Sequence, residues 1–190
     1  MATFTFKYKN ITRELPVHEV GGGMKIAYLD TLSDYELVTA LSRDMAQLVR
    51  VNKSFQAAGR VTLFTAESKG VPFAYALANA LEASGKAIDI VIARKHQKKF
   101  FGNCICTEKT SITSETENER LFVPEYEKEK LEGKAVVLVD DFYSTGASMK
   151  ALENLASQCN AEIIDRVVAV WEEVDGNKPN VKFVTTLPVL

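Results

Sequence analysis

The run Val136-Val137-Leu138-Val139-Asp140-Asp141-Phe142-Tyr143-Ser144-Thr145-Gly146-Ala147-Ser148 limits what this chain can fold into more than any other stretch. Four consecutive apolar residues predict a strand buried on both faces, as in the middle of a parallel sheet. Two adjacent carboxylates end it. A loop of small hydroxyl residues and glycine follows, and then a helix. The carboxylates can accept hydrogen bonds from sugar hydroxyls. Loop amides and hydroxyls can donate to a phosphate at the positive end of the helix. The order therefore suits a sugar phosphate. A plainer account makes the run a strand end before a helix capped by Ser144 or Thr145. That explains the hydroxyls but not two acids side by side at the mouth of a sheet.

Reading outward, the pattern alternates strands and helices. Residues 3–8 and the ITRELPV segment after Lys9-Asn10 alternate polar and apolar, predicting an N-terminal hairpin. A short apolar run, Met24 to Leu29, follows a glycine triplet. Asp34 is placed to cap a helix through about Val51, with Leu37, Leu41, Met45 and Leu48 on one face. Val61 to Thr65 reads as a strand ending in Ala66-Glu67-Ser68-Lys69-Gly70. Pro72 suits the first turn of the next helix, to about Ser84. Ile88 to Ala93 is another strand, ending in Arg94-Lys95-His96. Residues 97–120 lack helical periodicity and predict an extended excursion, partly strand and partly mobile. Pro124 to Glu132 reads as a short acidic helix and Gly146 to Gln158 as a longer one. Ile163 to Trp171 and Val181 to Thr185 close the series as strands, with a turn at Asp175-Gly176-Asn177. The expected fold class is α/β: a central, mostly parallel sheet flanked by helices, with an N-terminal β-hairpin. The loops after Thr65, Ala93 and Val139 all leave the carboxyl ends of strands, where open α/β sheets bind ligands.

Composition narrows the function classes. With 190 residues the chain suits a single domain spanning 1–190. A net charge of −2 gives no global basic field for nucleic acid. No apolar stretch reaches a membrane span, and the first residues lack the apolar core of a secretory signal. Cys104, Cys106 and Cys159 are an odd, sparse set. The first two fit alternate positions on one face of a strand better than a zinc knuckle. Reduced thiols and a cytoplasmic setting are expected.

The Val136–Ser148 run closely resembles the signature of the type I phosphoribosyltransferases, enzymes that use phosphoribosyl pyrophosphate (PRPP). The resemblance covers nearly the whole chain and is best over residues 60–171. It implies that Asp140 and Asp141 hold the ribose 2- and 3-hydroxyls and can support magnesium indirectly through water. It implies that Ser144, Thr145, Gly146, Ala147 and Ser148 cradle the 5-phosphate. Ala147 stands where many relatives have a second glycine, which keeps the amide but restricts positive φ. Glu67, Ser68, Lys69 and Gly70 match the pyrophosphate loop. Lys69 replaces the arginine common in adenine-type relatives and lacks its bidentate fork. A plain polar loop with Ser68 as helix cap is the competing reading. Arg94 and Lys95 resemble the basic pair that neutralises pyrophosphate, often across a homodimer interface. Lys98 and Lys99 extend that basic run, and His96 is given no proton transfer. Thr110-Ser111-Ile112-Thr113-Ser114 lies where relatives carry a lid, here spanning 97–120. An exposed hairpin edge is the alternative there, with Glu115, Glu117 and Glu119 on a solvated face. Residues 1–30 correspond to a hood-like segment.

The implied reaction is displacement of pyrophosphate from ribose C1 by a base nitrogen, with Mg2+ offsetting the leaving group's charge. The 6-oxopurine enzymes place an Asp just before the Thr-Gly, where this chain has Ser144. Xanthine-specific relatives carry a lysine where this chain has Glu172-Glu173. Both departures point to adenine, with Glu173 accepting from an exocyclic amine and Phe142 stacking on the base. Xanthine or another nucleobase is the alternative, while orotate is disfavoured because residues 100–120 lack that group's lysine-rich lid. A reading of another class is a non-catalytic PRPP-binding regulator. Residues 1–30 are too short and strand-like for the helix-turn-helix such regulators carry. A receiver-like phosphoacceptor is set aside, because its acidic pair ends an early strand.

Overall fold

The protein is described from a computed structural model, in which residues 2–20, 23–109, 119–173 and 178–190 are described. Three antiparallel strands open the chain: β1 (Thr3–Tyr8), β2 (Ile11–Val20) and β3 (Met24–Ala27). The expected hairpin thus gains a third strand, because the apolar run after the glycines pairs back onto β2 from Val17 to Val20. Helix α1 (Tyr35–Arg50) begins where Asp34 accepts from the Leu37 amide at 3.0 Å. Its buried stripe runs through Leu37, Leu41, Met45 and Val49, so Val49 takes the place expected of Leu48. A short helix absent from the sequence reading, α2 (Lys53–Ala57), follows, capped by Asn52.

The core alternation comes next. Strand β4 (Arg60–Ala66), helix α3 (Gly70–Glu82) and strand β5 (Ala87–Ala93) form one βαβ unit. An antiparallel ribbon then leaves the sheet: β6 (Cys104–Lys109) and β7 (Glu119–Pro124). The acidic helix expected after Pro124 is a 3-10 helix, Glu125–Lys130. The chain returns as β8 (Ala135–Tyr143), α4 (Ala147–Gln158), β9 (Glu162–Glu173) and β10 (Lys182–Pro188). The sheet order is β10-β9-β8-β4-β5, parallel throughout.

Burial explains the layering. Val136, Val137, Leu138 and Val139 are all fully buried, because β8 lies centrally and is covered on both faces. Successive side chains alternate between two cores. Val137 and Val139 meet Leu41, Met45, Phe73 and Leu77 of α1 and α3. Val136 and Leu138 meet Leu152 and Leu155 of α4 and Leu121 and Val123 of β7. The N-terminal sheet is tied to α1: the Tyr8 hydroxyl donates to Asp44, and Arg13 pairs with Asp34 at 2.6 Å. No helix among the described residues is long and apolar enough to cross a membrane. All three cysteines are free thiols.

The order of the central strands places the site. From β4 the chain crosses through α3 to β5 on one side, and from β8 through α4 to β9 on the other. The connections diverge between β4 and β8, and a crevice forms above their carboxyl ends.

Candidate active site

Asp140 and Asp141 occupy that crevice at the end of β8, with only 7% and 6% of their surfaces exposed. Two adjacent buried acids need donors. The Asp141 amide donates to Asp140 Oδ1 at 3.0 Å, and the Thr31 hydroxyl donates to Asp141 Oδ2 at 3.1 Å. Burial pushes the Asp141 carboxyl above the ordinary carboxylate range. The Lys69 ammonium opposes that rise, and the Thr31 hydroxyl adds to the opposition.

The Glu67–Gly70 loop arrives beside these acids from β4. Gly70 opens α3 with no space for a side chain: an added Cβ would stand 2.1 Å from Thr65 Oγ1 and 3.0 Å from Asp140 Oδ1. The loop backbone therefore lies directly against Asp140. Lys69 Nζ sits 4.6 Å from the Tyr28 ring centre and 6.0 Å from that of Phe142. Glu67 turns the other way. Its carboxylate accepts from Arg94 Nη1 at 3.2 Å and from the Lys95 amide at 2.9 Å. With both side chains about a third exposed, that ion pair fixes geometry more than it stabilises. The basic segment is held in turn by the ribbon, since Arg94 and Phe122 exchange backbone hydrogen bonds at 2.7 and 2.8 Å.

The Ser144–Ser148 loop completes the crevice at the start of α4. Its helix-capping alternative fails. The N-cap position belongs to Gly146, in the left-handed region at φ +79°, with no side-chain cap. The hydroxyls of Ser144 and Thr145 are not used as caps. Ser68 does not cap α3 either, because the N-cap there is Lys69, again without a side-chain hydrogen bond. Two helix N-termini thus open on one crevice without side-chain caps, and amides so placed favour anions. Gly146 also lies against Tyr143, whose Oη would be 2.5 Å from an added Cβ. A cavity of about 740 Å³ opens on the α4 side of this loop, lined by Tyr143, Thr145, Gly146, Lys150, Arg166 and Asn180. Asp140 and Asp141 do not line it.

The structure therefore brings together Asp140, Asp141, Lys69, Gly70 and Phe142, and separately Glu67, Arg94 and Lys95. Glu173 is the exposed last residue of β9, paired in register with Pro188. Thr110–Ser114, Glu115, Glu117 and the Asp175-Gly176-Asn177 turn lie outside the described residues. The sequence reading missed Thr31, Thr65, Tyr28 and Tyr143. Tyr143 lies inside the signature run and Thr65 ends the strand before the Glu67–Gly70 loop. Nothing near Thr31 in the chain marks it as a partner of an acid 110 residues away.

Comparison with known proteins agrees with this architecture. The phosphoribosyl transferase domain matches residues 31–188. A xanthine phosphoribosyltransferase of Finegoldia magna is 32% identical over 102 residues, covering 53% of this chain and 50% of the relative. A hypoxanthine/guanine phosphoribosyltransferase of Methanocaldococcus vulcanius is 29% identical over 138 residues, covering 73% of this chain and 67% of the relative. A probable purine biosynthesis transcriptional regulator PurR of Streptococcus pneumoniae is 29% identical over 133 residues, covering 70% of this chain and 45% of the regulator. The chain thus spans about half the length of the first and third of these relatives. Adenine phosphoribosyltransferase from Thermoanaerobacter pseudethanolicus superposes with a TM-score of 0.63 at 20% identity, covering 92% of this chain and 94% of the other. The Saccharomyces cerevisiae enzyme, solved with adenine, gives 0.62 at 22%, covering 97% and 93%. At such identities the likeness is one of fold. The family match starts at the Thr31 linker and runs into the last strand, taking in each loop of the crevice, and the chain belongs to the phosphoribosyl transferase domain family.

Proposed function

We propose that the chain transfers the phosphoribosyl group of PRPP to a purine base, with adenine as acceptor, giving AMP and pyrophosphate. One observation carries this reading: Asp140 of the buried acid pair lies directly against Gly70 of the Glu67–Gly70 loop, and the helices that follow this loop and the acid pair both begin without side-chain caps. Asp140 and Asp141 accept from the ribose 2- and 3-hydroxyls. Ser144–Ser148 hold the 5-phosphate on the N-terminus of α4. Ser68, Lys69 and Gly70 meet the pyrophosphate, and Glu67 braces that loop through Arg94 and Lys95.

In the reaction a base nitrogen bonds to ribose C1 as the bond from C1 to the pyrophosphate oxygen breaks. The electron pair leaves with pyrophosphate, and the proton on the nitrogen passes to solvent. The residues act by orientation and by charge placed near an oxocarbenium-like C1. Magnesium supplies charge neutralisation on the departing pyrophosphate when it is bound. The donor set fits a metal carried by the substrate's own oxygens. Asp140 and Asp141 would reach it through water.

Adenine rests on Ser144, where 6-oxopurine enzymes place an Asp, and on Glu172-Glu173, where xanthine enzymes place a lysine. Two of the relatives above carry the names xanthine and hypoxanthine/guanine, so the base is the part of the proposal most open to test. A homodimer belongs to the same reading, supported by Phe100, which is 80% exposed beside the Arg94–Lys99 basic run. The decisive assay supplies PRPP and Mg2+ with adenine, hypoxanthine, guanine or xanthine in turn. Adenine turnover is expected, and turnover of xanthine alone would replace the base assignment. The likeness to the PurR regulator favours a second reading, a non-catalytic PRPP-binding module. PRPP binding with no turnover of any base would select it.

A further inference from the structure

We infer that Thr31 is a positioning residue for PRPP, holding the Asp141 carboxylate at the angle from which it meets the ribose. The inference rests on the reading above, in which the acid pair binds the ribose hydroxyls. Thr31 lies in the linker between β3 and α1 and is fully buried. Its hydroxyl donates to Asp141 Oδ2 at 3.1 Å and so ties this linker to β8.

The linker is fixed at several points, so the hydroxyl is presented rather than free to wander. The Tyr28 amide donates to the Pro16 carbonyl at 2.9 Å. Asp30 accepts from the Leu32 amide at 3.1 Å. Asp34 is held by Arg13 and by the Leu37 amide. Leu29, two residues before Thr31, is buried in the core. A carboxylate engaged by fixed donors, here the Thr31 hydroxyl and the Phe142 amide, keeps a single orientation. Lys69 also faces Asp141, but from a long flexible side chain with the Tyr28 and Phe142 rings as alternative neighbours. Thr31 is the rigid side-chain partner that reaches Asp141 from outside β8. Through it, the placement of the N-terminal sheet is passed to the acid that meets the sugar.

The test compares wild type with Thr31→Val, Thr31→Ala and Thr31→Ser by calorimetry with PRPP and Mg2+, and by steady-state kinetics. A hydrogen bond to a charged group lost at a buried site predicts about a tenfold weaker PRPP affinity in Thr31→Val. Thr31→Ala is expected to show the same loss, which guards against Thr31→Val failing to fold. Thr31→Ser, which keeps the hydroxyl, is expected to restore affinity to within about twofold of wild type, well short of the loss of a charged-group hydrogen bond. KM for PRPP should rise with kcat little changed, as for an interaction present equally in ground and transition states. Unchanged PRPP affinity in Thr31→Val or Thr31→Ala would overturn the inference alone. So would a Thr31→Ser variant as weak as Thr31→Val, since the methyl rather than the hydroxyl would then matter. A wild-type chain that binds no PRPP would overturn the functional reading and this inference with it.

Discussion

Gly70 and Asp140 stand in direct contact: a Cβ on the glycine would lie 3.0 Å from Asp140 Oδ1, with Thr65 Oγ1 closer still at 2.1 Å. A loop that leaves β4 and an acid that ends β8 thus share one wall. Gly70→Ala is expected to cost about 1–3 kcal/mol, because fully buried Thr65 cannot retreat. Thr65 Oγ1 is buried with no partner among the described residues, so Thr65→Ala removes the obstacle cheaply. Thermal denaturation should show the double variant recovering much of the loss. Additive costs would mean that the two side chains do not collide.

The acid pair should be dispensable for folding and essential for PRPP. Asp140→Asn with Asp141→Asn is expected to leave a cooperative melt and abolish PRPP binding by calorimetry. Unchanged affinity would remove both residues from the site.

Asp141 also gives a pH signature. Its folded-state pKa is raised by burial, so the folded protein holds its proton more tightly than the unfolded chain does. Stability therefore falls as pH rises from the unfolded value, about 4, to the folded one. Asp141→Asn should raise the melting temperature above that window, with the gain vanishing below about pH 4. A gain independent of pH would assign the effect to packing.

Gly146→Ala tests the phosphate loop. At φ +79° the alanine costs about 1–2 kcal/mol in backbone strain, and its Cβ meets the Tyr143 ring. KM for PRPP should rise by about tenfold or more as the loop shifts. A variant with wild-type KM would show that the loop adapts without this geometry.

Lys69→Met removes the ammonium facing Asp141 while keeping a long side chain. Loss of a charge-assisted contact predicts about a tenfold drop in affinity for pyrophosphate and PRPP. Equal affinity would take Lys69 out of pyrophosphate binding.

The local pieces are legible in the order of the residues. Four apolar residues in a row specified a strand buried on both faces, and Val136–Val139 are fully buried at the sheet's centre. Asp34 specified the start of α1, and the spacing of Leu37, Leu41 and Met45 specified its inner face. These are short-range properties, set by backbone geometry and side-chain period within a few residues. Tertiary structure alone decided who meets whom. It drew Glu67 toward Arg94, and laid Lys69 between Tyr28 and Phe142. It gave both helix N-termini of the crevice no side-chain cap, although Ser68, Ser144 and Thr145 were all chemically able to serve. It also delivered the hydroxyl of Thr31 to Asp141. Such contacts depend on how packed layers close over long loops, and no residue's neighbours in the chain record that closure.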